Sequence, residues 1–263
     1  MLTPEQRTHY DTFGFLVIPK LFSQEEIQTI KKESEEICEE VFGCKPSNAK
    51  ERLSVQPFFE RRPFLAQLPD DDRIYGIGED LLGPDFILDG TEGNFHVGDT
   101  RWHGAGGSPL TIRSTKITFY VEPLTKETGC LRLMPGSHNP EVGRNLKALN
   151  AILDAREDET ENPFGVPGTD LPCVAMELGI GDVVVFMENT NHAAFGGHPG
   201  RQQHAINFFE NPKTQEQIKW VRDFYEGATW SFRPSKSYIN SDRPRIRRMV
   251  SKLVELGFEP LDY

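Results

Sequence analysis

Hydrophobic and polar positions along this chain change period from one section to the next, and the changes predict where helices and strands lie. From Ser23 the run SQEEIQTIKKESEEICEEVF places Ile27, Ile30, Cys38 and Val41 at helical spacing, behind a serine and Glu26 that form a capping box. An amphipathic surface helix is expected there. Before it, FGFLVIP is a short apolar run with β-branched residues that stops at Pro19, which suits a strand. In the middle of the chain the period becomes two. Ile117, Phe119 and Val121 alternate with Thr118 and Tyr120, and further short runs follow at 130–134, 174–178, 182–187 and 204–209. Glycine and proline separate these runs, as they do in barrels and jelly rolls.

Helical spacing returns at the edges of this region. Residues 144–156 read as a helix, and 157–171, acidic and rich in Pro and Gly, as a loop beside a site. Thr214 with Gln217 caps a helix carrying Ile218, Val221 and Phe224. Another has Pro244 in its first turn, Ile246, Met249, Val250, Leu253 and Val254 on one face, and Gly257 as its stop. With no internal repeat or linker, the expectation is a single domain over 1–263. It has a helical N-terminal section, a β core at roughly 90–210 and a helical C-terminal section.

Charge and composition narrow the function classes. A net charge of −11 argues against a nucleic-acid polymer as partner, because tracking phosphates needs a basic face. A small anionic substrate in a local basic pocket stays open. Cys38, Cys44, Cys130 and Cys173 make neither a CxxC pair nor a dense disulfide framework, so a reducing, cytoplasmic location is expected. The N-terminus MLTPEQRTHYDTFGF has no signal-peptide pattern, and no run approaches the ~20 apolar residues that span a bilayer, so no membrane partner is expected.

Five of the seven histidines fall in two stretches: His96 and His103 in NFHVGDTRWHGAGG, and His192, His198 and His204 in ENTNHAAFGGHPGRQQHAINFF. A histidine taken alone is more often a surface or core residue than a ligand. Here both stretches sit at strand edges, among glycines that let the backbone turn tightly beside a bound group. Together with FGFLVIPKLFSQEEI, GDTRWH, FYVEPLTKETGCLRLMPGSH and GDVVVFMENTNH, in that order, they resemble the phytanoyl-CoA dioxygenase-like family of Fe(II)- and 2-oxoglutarate-dependent oxygenases.

That resemblance implies a mainly β fold, a double-stranded β-helix of the jelly-roll or cupin-like kind with flanking α-helices. It implies iron held by His103 and His192, the distal carboxylate of 2-oxoglutarate held by Arg201, a weaker cosubstrate contact from Thr100, and dioxygen as oxidant. His138, in the PGSH turn, is expected to be structural. The chain departs from the family's pattern at Ala105, where the carboxylate ligand two residues after the first histidine is expected. The same departure marks the family's halogenases, in which chloride takes the vacated position. It implies chlorination of an unactivated carbon, with Gly104 and Ala105 making room for the halide and His103, His192 and Ala105 as the catalytic set. Three alternatives stay open: a hydroxylase of the same family whose aspartate has been replaced by alanine, a non-catalytic cupin-like binding protein, and a centre completed by Asp99. The last is disfavoured because the GDT run also occurs in family members that keep their own carboxylate.

The C-terminal stretch is locally basic, with Arg233, Lys236, Arg243, Arg245, Arg247, Arg248 and Lys252. This reads either as a solvated helix face or as a site. In the second case Arg233 and Lys236 in TWSFRPSKSY bind an anionic small molecule, free or carrier-tethered, a nucleotide being one such, with Trp230 stacking on a base.

Overall fold

The period-two segments form two antiparallel sheets in a computed structural model that describes residues 2–95, 97–104, 111–146, 166–227 and 232–263. The six-stranded sheet has the order β1 (Phe15–Ile18), β8 (Val183–Phe186), β5 (Ser114–Tyr120), β10 (Gln202–Glu210), β3 (Phe86–Phe95) and β2 (Leu53–Val55). The four-stranded sheet has the order β4 (Gly98–His103), β9 (His192–Gly197), β6 (Leu131–Leu133) and β7 (Val174–Ala175). Strands adjacent in sequence are largely shared out between the sheets, so each pairing joins distant parts of the chain. This is the expected double-stranded β-helix with flanking helices.

Alternation assigns each face of the large sheet. Ile117 and Phe119, Val183 and Val185, Ile206 and Phe208 point one way and pack under helices α2 (Gln24–Phe42), α4 (Asp72–Leu82) and α8 (Pro244–Glu255). Their partners there include Ile27, Ile30, Ile74, Met249 and Val250. Fully burying each such side chain stabilises the fold by about 1.5–3 kcal/mol. The intervening Val184 and Phe186 point the other way, with Phe15 and Tyr120, and meet Leu131 and Leu133 of the small sheet. Toward β3 and β2 this inner face turns polar, and there the sheets part around a cavity.

The caps form as the sequence predicts. Ser23 Oγ accepts from Glu26 N at 3.2 Å while Glu26 Oε2 accepts from Ser23 N at 2.7 Å. Thr214 and Gln217 do the same ahead of α6 (Gln215–Gly227). Helices α1 (Pro4–Phe13), with a capping box from Thr3 and Gln6, α3 (Pro63–Gln67), α4 and α7 (Lys236–Ile239) were not anticipated. Helix α5 (Pro140–Asn145), capped by Asn139, overlaps only the start of the helix expected over 144–156. Residues 147–165, which hold the rest of that expectation and part of the expected acidic loop, lie outside the described residues. The four cysteines are free thiols. No helix among the described residues is long and apolar enough to cross a membrane.

Candidate active site

His103 ends β4 and His192 begins β9, and the register of that pair places them opposite one another. Their rings lie 3.9 Å apart between centroids, inclined at 51°. His103 Nδ1 donates to the carbonyl of Arg101 at 2.8 Å, and His192 Nδ1 to that of Thr190 at 2.7 Å. A carbonyl only accepts, so each Nδ1 carries the hydrogen and each Nε2 keeps its lone pair, the tautomer a metal-binding imidazole needs. Burial lowers both pKa values. That of His192 falls well below the ordinary range, because a charged His103 beside it would add repulsion. Both rings are therefore neutral near pH 7 and fit a divalent metal.

The neighbouring motifs hold this pair in place. A Cβ on Gly104 would sit 2.7 Å from Asn191 Oδ1 and 3.0 Å from its Cα, so only glycine lets the two strands approach this closely. In the PGSH turn, Ser137 Oγ accepts from Asn191 N at 2.8 Å and the carbonyl of His138 accepts from Asn189 Nδ2 at 2.8 Å, fixing the chain just before His192. His138 itself bonds through Nε2 to the carbonyl of Asp11. Asp99 Oδ1 accepts from Gly196 N at 2.7 Å and ties β4 to β9. Among the described residues no three His, Cys, Asp or Glu side chains gather as a metal site. Ala105, Trp230 and His96 lie outside the described residues.

Arg201 is 1% exposed and lies on the wall of the same cavity, of about 780 Å3. Its Nε donates to the carbonyl of Gly129 at 2.7 Å, and its guanidinium carbon stands 5.3 Å from the Tyr120 ring centroid. Gly129, at φ +91°, leaves room for it, since a Cβ there would lie 2.9 Å from Nε. Among the described residues Arg201 Nη1 is buried with no hydrogen-bond partner. An unmet donor on a buried cation is unfavourable until an anion arrives, which fits a carboxylate ligand. Thr100 and Gly104 also line the cavity.

Arg233 and Lys236 are not among the cavity-lining residues. Arg233 lies over the Tyr225 ring at 4.4 Å and faces Glu259 at 3.7 Å, while Lys236 pairs with Asp262. Arg243 and Arg245 meet Asp70 and Asp72. A count of cations along the sequence cannot see the acids that folding brings to them.

Sequence reasoning missed a polar row on the inner face of the large sheet: Arg52, Ser54, Glu92, Asn94, Lys116 and Glu188. Lys116 Nζ meets Glu92 Oε1 at 2.6 Å, and Asn207 and Asn94 donate to the same carboxylate. Burial alone would raise the pKa of Glu92, but the Lys116 charge and these bonds together bring it below its usual value. Glu188 has no such set of donors, and burial pushes it up to about 7 against the pull of Lys116. Phe209 and the stacked pair Trp220 and Phe224 of α6, with rings 5.2 Å apart, add an apolar wall. The available signal was polar residues at alternate positions in strands whose other face is apolar.

Comparison with known proteins reaches the same segments. The family described as Phytanoyl-CoA dioxygenase (PhyH) matches residues 87–204. An ectoine dioxygenase of Nocardia farcinica is 27% identical over 223 residues, covering 72% of this chain and 71% of that protein. One of Stutzerimonas stutzeri is 27% identical over 214 residues, covering 71% and 69%. HygX from Streptomyces hygroscopicus, solved with nickel, 2-oxoglutarate and hygromycin B bound, superposes with a TM-score of 0.62 at 21% identity, over 81% of this chain and 89% of that one. EctD from S. alaskensis with bound Fe gives 0.57 at 18%, over 80% and 76%. The structural likenesses establish the shared fold. The span that matches the family holds His103, His192 and Arg201.

Proposed function

We propose that the chain is a non-haem iron oxygenase that uses 2-oxoglutarate and dioxygen to hydroxylate a small molecule held in the cavity. One observation carries this reading: two imidazoles with their Nδ1 atoms tied to carbonyls share a cavity wall with a buried arginine whose Nη1 has no partner. When bound, iron and 2-oxoglutarate supply the oxidising chemistry, in which R–H, 2-oxoglutarate and O2 become R–OH, succinate and CO2. His103 and His192 hold the metal through Nε2. Arg201 takes the distal carboxylate of the cosubstrate, its fork held by the Gly129 carbonyl and the Tyr120 ring, and Thr100 adds a polar contact on the same wall. Phe209, Trp220 and Phe224 exclude water from the substrate side.

Hydroxylation is favoured because the relatives are named dioxygenases. Ala105 favours a second reading, chlorination, in which chloride fills the position a carboxylate would take and Gly104 and Ala105 leave it room. R–H, 2-oxoglutarate, O2, Cl− and H+ then become R–Cl, succinate, CO2 and H2O. A nucleotide has less support than a compact polar substrate, since neither Arg233 nor Lys236 reaches the cavity wall.

Incubating the Fe(II)-loaded protein with 2-oxoglutarate and a metabolite pool, with and without chloride, separates these readings by mass spectrometry. The expected product gains one oxygen, needs no chloride, and still forms in Ala105→Asp. A chlorine isotope pattern that disappears in Ala105→Asp would establish the second reading instead. Succinate formation no greater than in a His103→Ala, His192→Ala double variant, with no visible charge-transfer band on anaerobic addition of 2-oxoglutarate, would leave only the binding-protein alternative.

A further inference from the structure

We infer that Glu188 determines the specificity of the cavity by pairing with a positively charged nitrogen of the substrate, an ammonium, amidinium or guanidinium group. The inference rests on the reading of this cavity as the substrate site. Glu188 lies in the turn two residues past the end of β8, whose Val184 and Phe186 face inward, and it lines the cavity. No hydrogen bond or ion pair among the described residues reaches its carboxyl. The cation nearest in effect, Lys116, is already held at 2.6 Å by Glu92. Lys116 is thus bonded to Glu92 and not to Glu188.

Arg52 lines the same cavity and has Glu92 and Arg201 as charged neighbours. Burial raises Glu188 to about 7, because a carboxyl held away from water without a bonded partner disfavours the ionised form. Trp220 and Phe224 offer stacked ring faces to the same cavity, and ring faces attract cations. A carboxylate together with aromatic faces suits a compact organic cation better than it suits an anion.

The test is calorimetric binding of pairs that differ by one charge: benzamidine with benzamide, acetamidine with acetamide, and L-arginine with L-citrulline. Each is titrated into the full chain without metal, and again with Fe(II) and 2-oxoglutarate under anaerobic conditions. At least one cation should bind about tenfold tighter than its neutral twin. Glu188→Gln, which has the shape of the protonated acid, should erase that preference, and Glu188→Asp should keep part of it. Melting temperatures check that both variants fold. Equal binding within every pair, no binding by any cation, or a preference that survives in Glu188→Gln overturns the inference. The iron reading stands or falls separately, on the charge-transfer band in the same samples.

Discussion

Replacing Arg201 probes the cosubstrate site most directly. Its guanidinium is fixed on one side by the bond from Nε to the Gly129 carbonyl and leaves Nη1 buried and unmet on the other. Arg201→Lys keeps a positive charge but loses the planar fork, so the hydrogen bond to the distal carboxylate is lost or misdirected. A hydrogen bond to a charged group is worth about 1.5–3 kcal/mol, and a factor of ten in affinity is about 1.4 kcal/mol. The dissociation constant for 2-oxoglutarate should therefore rise about 10- to 100-fold, and further in Arg201→Met, which leaves the incoming carboxylate without a cation in a buried place. Anaerobic titration of the Fe(II)-loaded protein, followed by the visible charge-transfer band, measures it. Repeating the titration with 2-oxopentanoate, which lacks the distal carboxylate, completes a double-substitution cycle. That ligand should bind wild type weakly and the variants no worse. If Arg201→Lys binds 2-oxoglutarate within about threefold of wild type, or if both ligands lose affinity equally, Arg201 is not the carboxylate anchor.

Two further predictions concern the scaffold. Gly104→Ala forces a Cβ to within 2.7 Å of Asn191 Oδ1 and 3.0 Å of Asn191 Cα, so β4 and β9 must spread beside the histidine pair. Iron affinity should fall at least about tenfold and stability by about 1–3 kcal/mol, and wild-type metal retention after dialysis would refute this. Glu60 is raised to about 7 by burial, which outweighs the bond it accepts from Thr91 Oγ1 at 2.5 Å. An acid raised on folding is bound to its proton more firmly in the folded chain. The stability it contributes is thus complete below its ordinary value of 4.5 and is lost as pH climbs through 7. Urea midpoints measured between about pH 5 and pH 8 should fall for wild type and fall less steeply for Glu60→Gln; identical slopes would contradict the assignment.

Legibility in the sequence followed burial on one face. Helices α2 and α8 were readable because caps and apolar stripes agree: Ile27, Ile30, Ile246, Met249 and Val250 all lie in the main core. Helix α1 carried an equally clear capping box, but of its residues only Tyr10 is buried, so it has no stripe to betray it. Strand β3 was hidden for the opposite reason. Both of its faces are buried, and its inner face is polar at Glu92 and Asn94, with Gly90 and Gly93 between, so FILDGTEGNF reads as a turn. In the helix expected to carry Ile218, Val221 and Phe224, Val221 is buried whereas Phe224 is 43% exposed at the cavity. The histidines were found through motif order. The charges of the substrate side needed strand register, which no local pattern holds.

That register divides the work of the site between the two sheets. The histidine pair depends on β4 and β9 of the small sheet, and the charged row on β2, β3, β5 and the turn after β8 in the large one. Because side chains alternate along β8, a residue inserted within that strand would exchange its inward and helix-facing positions. A point substitution on the inner row, by contrast, changes the charge offered to a substrate without moving either imidazole. The fold can thus alter what it accepts while keeping the histidine pair in place.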